Sequence, residues 1–245
     1  IEAKRLGELA RVAAARSVAL DDTCAECHAS VAFVAQCVDR DIRVAESEFK
    51  EAIRLDPNYA TAHEWYSWLL FYSRSHSAVA LAEIEKASEL EPTSPIIKIA
   101  LGWQLFYVRQ YDRALVAFTE ASTIDPRNDY TFFGMALSQE QQGQYEDALK
   151  AIDEANRLNP DPTYLAERGR ILALQHRRRE AEASLDRLLS EHPRPWYSLA
   201  LVYDALNERQ LAQRYLVLAQ EHRDNTMATV LYDPRIDDLR PLIGY

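Results

Sequence analysis

The chain has 245 residues, 48% of them hydrophobic, with 6 glycines, 10 prolines and a formal net charge of −10. A surface this acidic excludes nucleic acid as a direct partner, because phosphate binding needs a positive face. No apolar run reaches the roughly 18 residues that a membrane-crossing helix takes. The 3 cysteines, Cys24, Cys27 and Cys37, are an odd number and give no disulfide framework.

Residues 1–20 read as one amphipathic helix with Ala10, Ala14, Ser17 and Leu20 on a single stripe. Glu8, Arg11 and Arg16 interrupt it, so it is not a secretion signal. A start at Ile1 in place of Met suggests a preceding segment. The helix stands where the second helix of a hairpin belongs, so its apolar face is left for another chain or a second copy to cover. Thr23, with Glu26 three residues on, reads as an N-cap and capping box. The helix it opens runs to about Val38, and a partner helix follows from about Ile42 to Leu55.

From here one phrase recurs. It reads Ala45, Phe49, Ala52, Leu55, Asp56, Pro57, and then Ala80, Ile84, Ala87, Leu90, Glu91, Pro92. The third copy is Ala114, Phe118, Ala121, Ile124, Asp125, Pro126, and the fourth is Ala148, Ile152, Ala155, Leu158, Asn159, Pro160. A looser copy runs Ala181, Leu185, Leu188, Glu191, His192, Pro193. The closing prolines are separated by 35, 34, 34 and 33 residues. A period so regular implies an array of helical hairpins. Between these stripes the other helices fall near Tyr59–Tyr72, after Ser94-Pro95, and near Trp196–Leu206, with turns at Gln110-Tyr111-Asp112, Gln142-Gly143-Gln144 and Arg177-Arg178-Arg179. Arg209–Glu221 repeats the stripe through Ala212, Leu216 and Ala219. The chain therefore divides into an incomplete repeat over 1–22, an array over 23–225 and a closing cap over 226–245.

These residues resemble the tetratricopeptide repeat, in which W-x2-L-G-x2-Y precedes A-x3-F, Ala and Pro over about 34 residues. The second half of the pattern is kept in four repeats, whereas His28 and His63 stand where the family has Trp and only Leu101-Gly102 keeps the Leu-Gly pair. The resemblance implies an all-α solenoid, a right-handed superhelix of about six hairpins. The wording of "LDDTCAECHASVAFV", "FKEAIRLDPNYATAHEWYSWLL" and "LYDPRIDDLRPLIGY" is similar to repeat regions that follow a winged helix or a Ser/Thr kinase in bacterial regulators of the CadC-like sort. That implies a bacterial sensory or docking module, with an extracytoplasmic address favoured over a cytoplasmic one.

By repeat register, Trp68, Phe71, Trp103, Phe106, Tyr130 and Phe133 face the concave side, as a groove for a peptide or protein partner or as packing between helices. The Lys and Asn cluster with which such repeats clamp a terminal carboxylate is not evident, since Ala29, Glu64 and Ile99 stand at its positions. Cys24-Ala25-Glu26-Cys27-His28 matches the C-x-x-C-H pattern of covalent c-type haem attachment, with His28 as axial ligand. Two structural cysteines, or a metal site that also uses Cys37, explain the same residues. His76, His176, His192 and His222 read as surface histidines at turns or helix ends. No catalytic residues, phosphate-cradling loop or metal cluster stands out, so a non-catalytic scaffold without a cofactor is the first expectation and a haem-bearing repeat protein the second.

Overall fold

A computed structural model describes residues 2–73, 77–190, 195–222, 224 and 230–243. Expectations placed on Ile1, His76, Glu191, His192, Pro193, Thr226 and Tyr245 lie outside the described residues. Helix α1 (Glu2–Leu20) precedes six two-helix segments. These are α2 (Ala25–Val34) and α3 (Ile42–Leu55), α4 (Ala60–Tyr72) and α5 (Ser77–Leu90), then α6 (Pro95–Tyr107) and α7 (Tyr111–Ile124). They continue with α8 (Asp129–Gln141) and α9 (Tyr145–Leu158), α10 (Pro162–Leu174) and α11 (Arg178–Ser190), and α12 (Trp196–Ala205) and α13 (Arg209–Glu221). A π-helical turn, Ala35–Asp39, prolongs α2, and two 3-10 turns, Pro234–Ile236 and Arg240–Ile243, lie in the tail. No strand occurs among the described residues.

The chain forms two compact units, residues 1–104 and 105–245, with the division inside α6. In the first, α1 packs on α2, α2 on α3, α3 on α4 and α4 on α5. In the second, α7 packs on α8, α8 on α9, α9 on α10, α10 on α11 and α12, and α12 on α13. These contacts join helices that are near neighbours in sequence, as a repeat period demands.

The recurring phrase is the core face. Ala45, Phe49, Ala52, Ala80, Ile84, Ala87, Ala114, Phe118, Ala121, Ala148, Ile152 and Ala155 are all fully buried. The alanines let two helices approach, and the central large side chain fills the gap, a burial that stabilises by about 1.5–3 kcal/mol per side chain. In the second unit the tail adds Val230, Ile236 and Leu239 to a cluster with Tyr197, Ala200, Leu201, Ala212, Leu216 and Ala219.

The turns between helices share one device. Arg40, Arg109, Gly143, His176 and Asn207 are left-handed, with φ of 56°, 64°, 72°, 62° and 63°. After four of them the next amide returns to a carbonyl five residues earlier, as Gln144 does to Gln139 and Arg177 to Leu172, each at 2.9 Å; after Arg40, which follows the π-helical turn, Asp41 returns six residues to Ala35. This is the Schellman closure, which satisfies the last carbonyls of a helix.

The first cap differs from the expected one. The N-cap of α2 is Cys24, whose sulfur accepts the Cys27 amide. Thr23 turns back instead, giving its amide and hydroxyl to Asp21 at 2.9 and 2.7 Å. An aspartate two residues upstream captures the threonine, so the helix begins one residue later.

The close approach of α7 and α8 depends on Gly134, where a Cβ would run into the ring of Phe118. The helix-propensity gain of Gly134→Ala, about 1 kcal/mol, is smaller than the overpacking cost of about 1–3 kcal/mol. Denaturant unfolding should show a net loss of stability, whereas a Phe118→Leu, Gly134→Ala pair should recover part of it.

Candidate segment-binding surface

The six register-predicted aromatics are used in different ways. Phe71, Trp103, Phe106 and Phe133 are buried, so their rings serve packing between helices. Trp68 is half-buried, with its ring stacked on Tyr72 at 5.6 Å and edge-on to Phe71 at 6.0 Å. Tyr130 is 46% exposed and stands beside Phe133, which in turn meets Tyr164 at 5.2 Å. Trp68, Phe71 and Trp103 belong to the first unit, and Phe106, Tyr130 and Phe133 to the second.

What the second unit does hold along these helices is its own tail. Tyr232 packs on Tyr107 at the end of α6, with ring centres 6.3 Å apart. Asp233 is buried and accepts the Tyr197 hydroxyl of α12 at 2.6 Å. The same carboxylate grips the Arg235 guanidinium through both oxygens and caps the 3-10 turn by taking the Arg235 amide at 2.9 Å. Arg235 reaches on to Glu167 of α10. Beyond it Asp237 pairs with Arg109 at 2.7 Å, and Arg209 at the start of α13 donates to the Asp238 carbonyl at 2.9 Å. Arg240 ties the tail to itself through the carbonyls of Val230 and Asp233 at 3.2 and 2.7 Å.

Under the tail lies a buried ionic cluster. Glu140 of α8 pairs with Arg170 of α10, with Glu167 one turn away from Arg170. Burial and the neighbouring Glu140 charge push the Glu167 carboxyl well up, which favours its protonated form. Burial raises the Glu140 carboxyl too, but the Arg170 guanidinium more than reverses this and holds it below the usual range. Asp233 behaves likewise: burial pushes it up, and Arg235 brings it below the usual range. Arg170 is thus balanced by Glu140 and Arg235 by Asp233, with the Glu167 carboxyl standing between the two guanidiniums as an acceptor.

The sequence alone points to a closing cap over 226–245 and assigns no partner to Asp233 or Arg235. Arg235 and Glu167 are 68 positions apart, and nothing local links them. One signal was present: Glu167 and Arg170 flank Gly169 within the buried run Tyr164 to Ala173. Charges on a buried face demand partners.

In the first unit the expected absence of disulfides is corrected. Cys24 and Cys27 are joined, with Cα atoms 5.2 Å apart, and Cys37 is free and exposed. Thiols at i and i+3 across a helix start lie close enough to pair, whatever the total count. His28 is engaged at both ring nitrogens, Nδ1 to Glu48 at 2.6 Å and Nε2 to the Asp22 carbonyl at 3.0 Å. Thioether attachment of a haem would need the disulfide reduced and the imidazole released. His63 repeats this arrangement one repeat on, with Glu83 at 2.5 Å and the Pro57 carbonyl at 3.1 Å.

Of the other singled-out residues, His176 is exposed in its turn, and His222 stacks on Trp196 at 5.0 Å. Arg177 pairs with Glu180, and Arg178 with Glu182 and Glu208, which accounts for that much of the basic run. Among the described residues no helix is long and apolar enough to cross a membrane.

The tetratricopeptide-repeat family model matches residues 105–171. No curated protein matches the sequence. Several solved structures share the fold. YrrB, titled a TPR protein with an unusual peptide-binding site, is 18% identical with a TM-score of 0.61, over 82% of this chain and 96% of its own. The pilF protein of Pseudomonas aeruginosa is 19% identical with a TM-score of 0.63, over 82% of this chain and 92% of its own. MamA of Desulfovibrio magneticus is 18% identical with a TM-score of 0.61, over 67% of this chain and 93% of its own. At these identities the likeness speaks for the fold, and that fold is the all-α repeat solenoid expected from the period.

Glu64, His28 and His63 of the first unit, which titrate between 4.5 and neutrality, bind protons more tightly than their unfolded counterparts. Burial, with Glu91 nearby, lifts Glu64 from 4.5 to about 7. Burial lowers His28 and His63, but Glu48 and Glu83 more than reverse it and leave both raised, with Glu51 adding to His28 and Lys86 opposing at His63. A folded state that binds more protons loses stability as pH rises. For Glu64 the loss falls between 4.5 and about 7. For the histidines the stabilisation is complete below about 6.5 and disappears above it. Denaturant midpoints across this range should therefore fall with pH; Glu64→Gln should flatten the acidic part and His63→Gln the neutral part.

Proposed function

We propose that this tetratricopeptide-repeat protein is a non-catalytic scaffold that holds a non-helical polypeptide segment across α10 and α12 of its second unit. Its own residues 230–243 stand there as an internal ligand. The observation that carries this reading is the burial of Asp233 with Arg235 on Tyr197 and Glu167. The helices present a hydroxyl that wants an acceptor and a buried Glu167 carboxyl that accepts a guanidinium N–H, and the tail supplies both partners two residues apart. A partner protein that competes for the surface would carry an acidic residue two positions before an arginine. That chemistry explains an ionic surface in place of an aromatic one: the tail meets the helices at the Tyr197 hydroxyl and at Glu167, while the two-pronged Arg235–Asp233 contact fixes the tail's own shape. The peptide-binding site named for YrrB, which shares the fold, supports such a role. An extracytoplasmic address fits the same reading, since a joined cysteine pair persists in oxidising compartments.

A labelled peptide spanning residues 230–243 tests this on the full chain. The wild type, with its surface filled, should bind it weakly. Arg235→Ala loosens the tail and should bind the peptide at least tenfold more tightly, and adding Glu167→Gln should remove most of that gain. A folded Arg235→Ala chain that ignores the peptide would sink the proposal.

A second reading, self-association, is favoured by α1, where Leu6, Leu9 and Val12 are 54%, 58% and 57% exposed. Such a row marks a contact surface. Sedimentation at rising concentration should reveal a larger species that Leu9→Glu abolishes; a wild type that stays monomeric throughout rules it out.

A further inference from the structure

We propose that Cys24 and Cys27 form a redox-active dithiol–disulfide site that exchanges two electrons with an external dithiol while the repeat around it stays folded.

The first unit contains its own control. The turn that opens α2 is built again at the opening of α4. In the first, His28 closes it onto the Asp22 carbonyl and Glu48. In the second, His63 closes it onto the Pro57 carbonyl and Glu83 at near-identical distances. Tyr59 and Ala62 stand there where Cys24 and Cys27 stand in the first, and Tyr59 caps α4 with no side-chain bond at all. The same turn therefore forms without a covalent link. The disulfide also joins residues only three apart, where the loop-closure contribution to stability is smallest. It is an addition to a turn that already holds.

Its surroundings suit exchange chemistry. Cys24 is the N-cap of a ten-residue helix, and the Cys27 amide points at its sulfur at 3.1 Å. Helix-start amides favour negative charge, so on reduction Cys24 is the member that holds the thiolate. The Glu26 carboxylate, 3.8 Å from that sulfur, opposes this, but it is exposed and screened by solvent. Both cysteines are half-buried and within reach of an attacking thiolate.

The exchange balances as follows. One thiolate of the donor attacks a sulfur of the pair; the S–S bond breaks and the other cysteine leaves as a thiolate that takes up a proton. The second donor thiol then attacks the donor sulfur of the mixed disulfide and releases the remaining cysteine. The donor ends as a disulfide, and the protein gains two electrons and two protons. The reverse sequence oxidises the pair.

The test uses the full chain carrying Cys37→Ser, so that only this pair reacts. The folded protein is equilibrated in mixtures of reduced and oxidised dithiothreitol, and free thiols are trapped by alkylation and counted by mass. The expected result is a reversible transition between zero and two free thiols, with the same helical signal at both ends. In the reduced chain, the half-point of Cys24 alkylation should lie at least one pH unit below its value in denaturant, and Glu26→Gln should lower it further. Opening only in denaturant, loss of helical signal on reduction, or a Cys24 that ionises as in the unfolded chain would each overturn the proposal.

Discussion

A helical hairpin of this length cannot hide its apolar face alone, and everything else in the structure depends on how the next hairpin covers it. The cover is a small–large–small stripe. Phe49, Ile84, Phe118 and Ile152 are fully buried, each between two alanines one turn away on either side. Alanine on both sides lets the backbones approach until the central side chain fills the space between them. The approach is close enough at Gly134 that no Cβ fits against the Phe118 ring. Because the contacts run from each helix to its sequence neighbours, the two units share one construction and differ in what they add to it.

The additions are polar, and those of the first unit stand where the repeat pattern has an aromatic ring. In the first unit His28 and His63 take the place of Trp and stitch the first helix of a hairpin to the second through Glu48 and Glu83. In the second unit Glu140, Glu167 and Arg170 are buried, where an apolar side chain would cost less. Burying charge is unfavourable unless partners are supplied with good geometry, and breaking such a cluster is strongly destabilising. Arg235 and Asp233 supply those partners from the far end of the unit. The tail is therefore more than a lid on the final hairpin. It is the part of the chain that brings Asp233 and Arg235 to the buried charges of the second unit.

Much of the fold was legible before any coordinates. The period and its stripe place α3, α5, α7, α9, α11 and α13, because a buried face on a helix imposes a 3.6-residue spacing that survives in the residue order. The candidate sites were less legible. Phe71, Trp103, Phe106 and Phe133 occupy groove register, yet their rings are consumed in packing, since an aromatic at that spacing serves an interior as readily as a surface. At Thr23 the pattern of a capping box was present, but Asp21 took the threonine first.

The amino-acid order by itself determined the helices, their pairing and the core stripe, all of which rest on contacts between residues less than one repeat or two apart. Only the tertiary structure decided that Asp233 and Arg235 meet Tyr197 and Glu167, and that Cys24 and Cys27 are joined beside an imidazole held at both nitrogens. The reason is physical. A periodic apolar stripe carries its partner's position in its own spacing, whereas a buried charge states only that it needs a partner, and which one it finds depends on which distant segments the folded unit brings together.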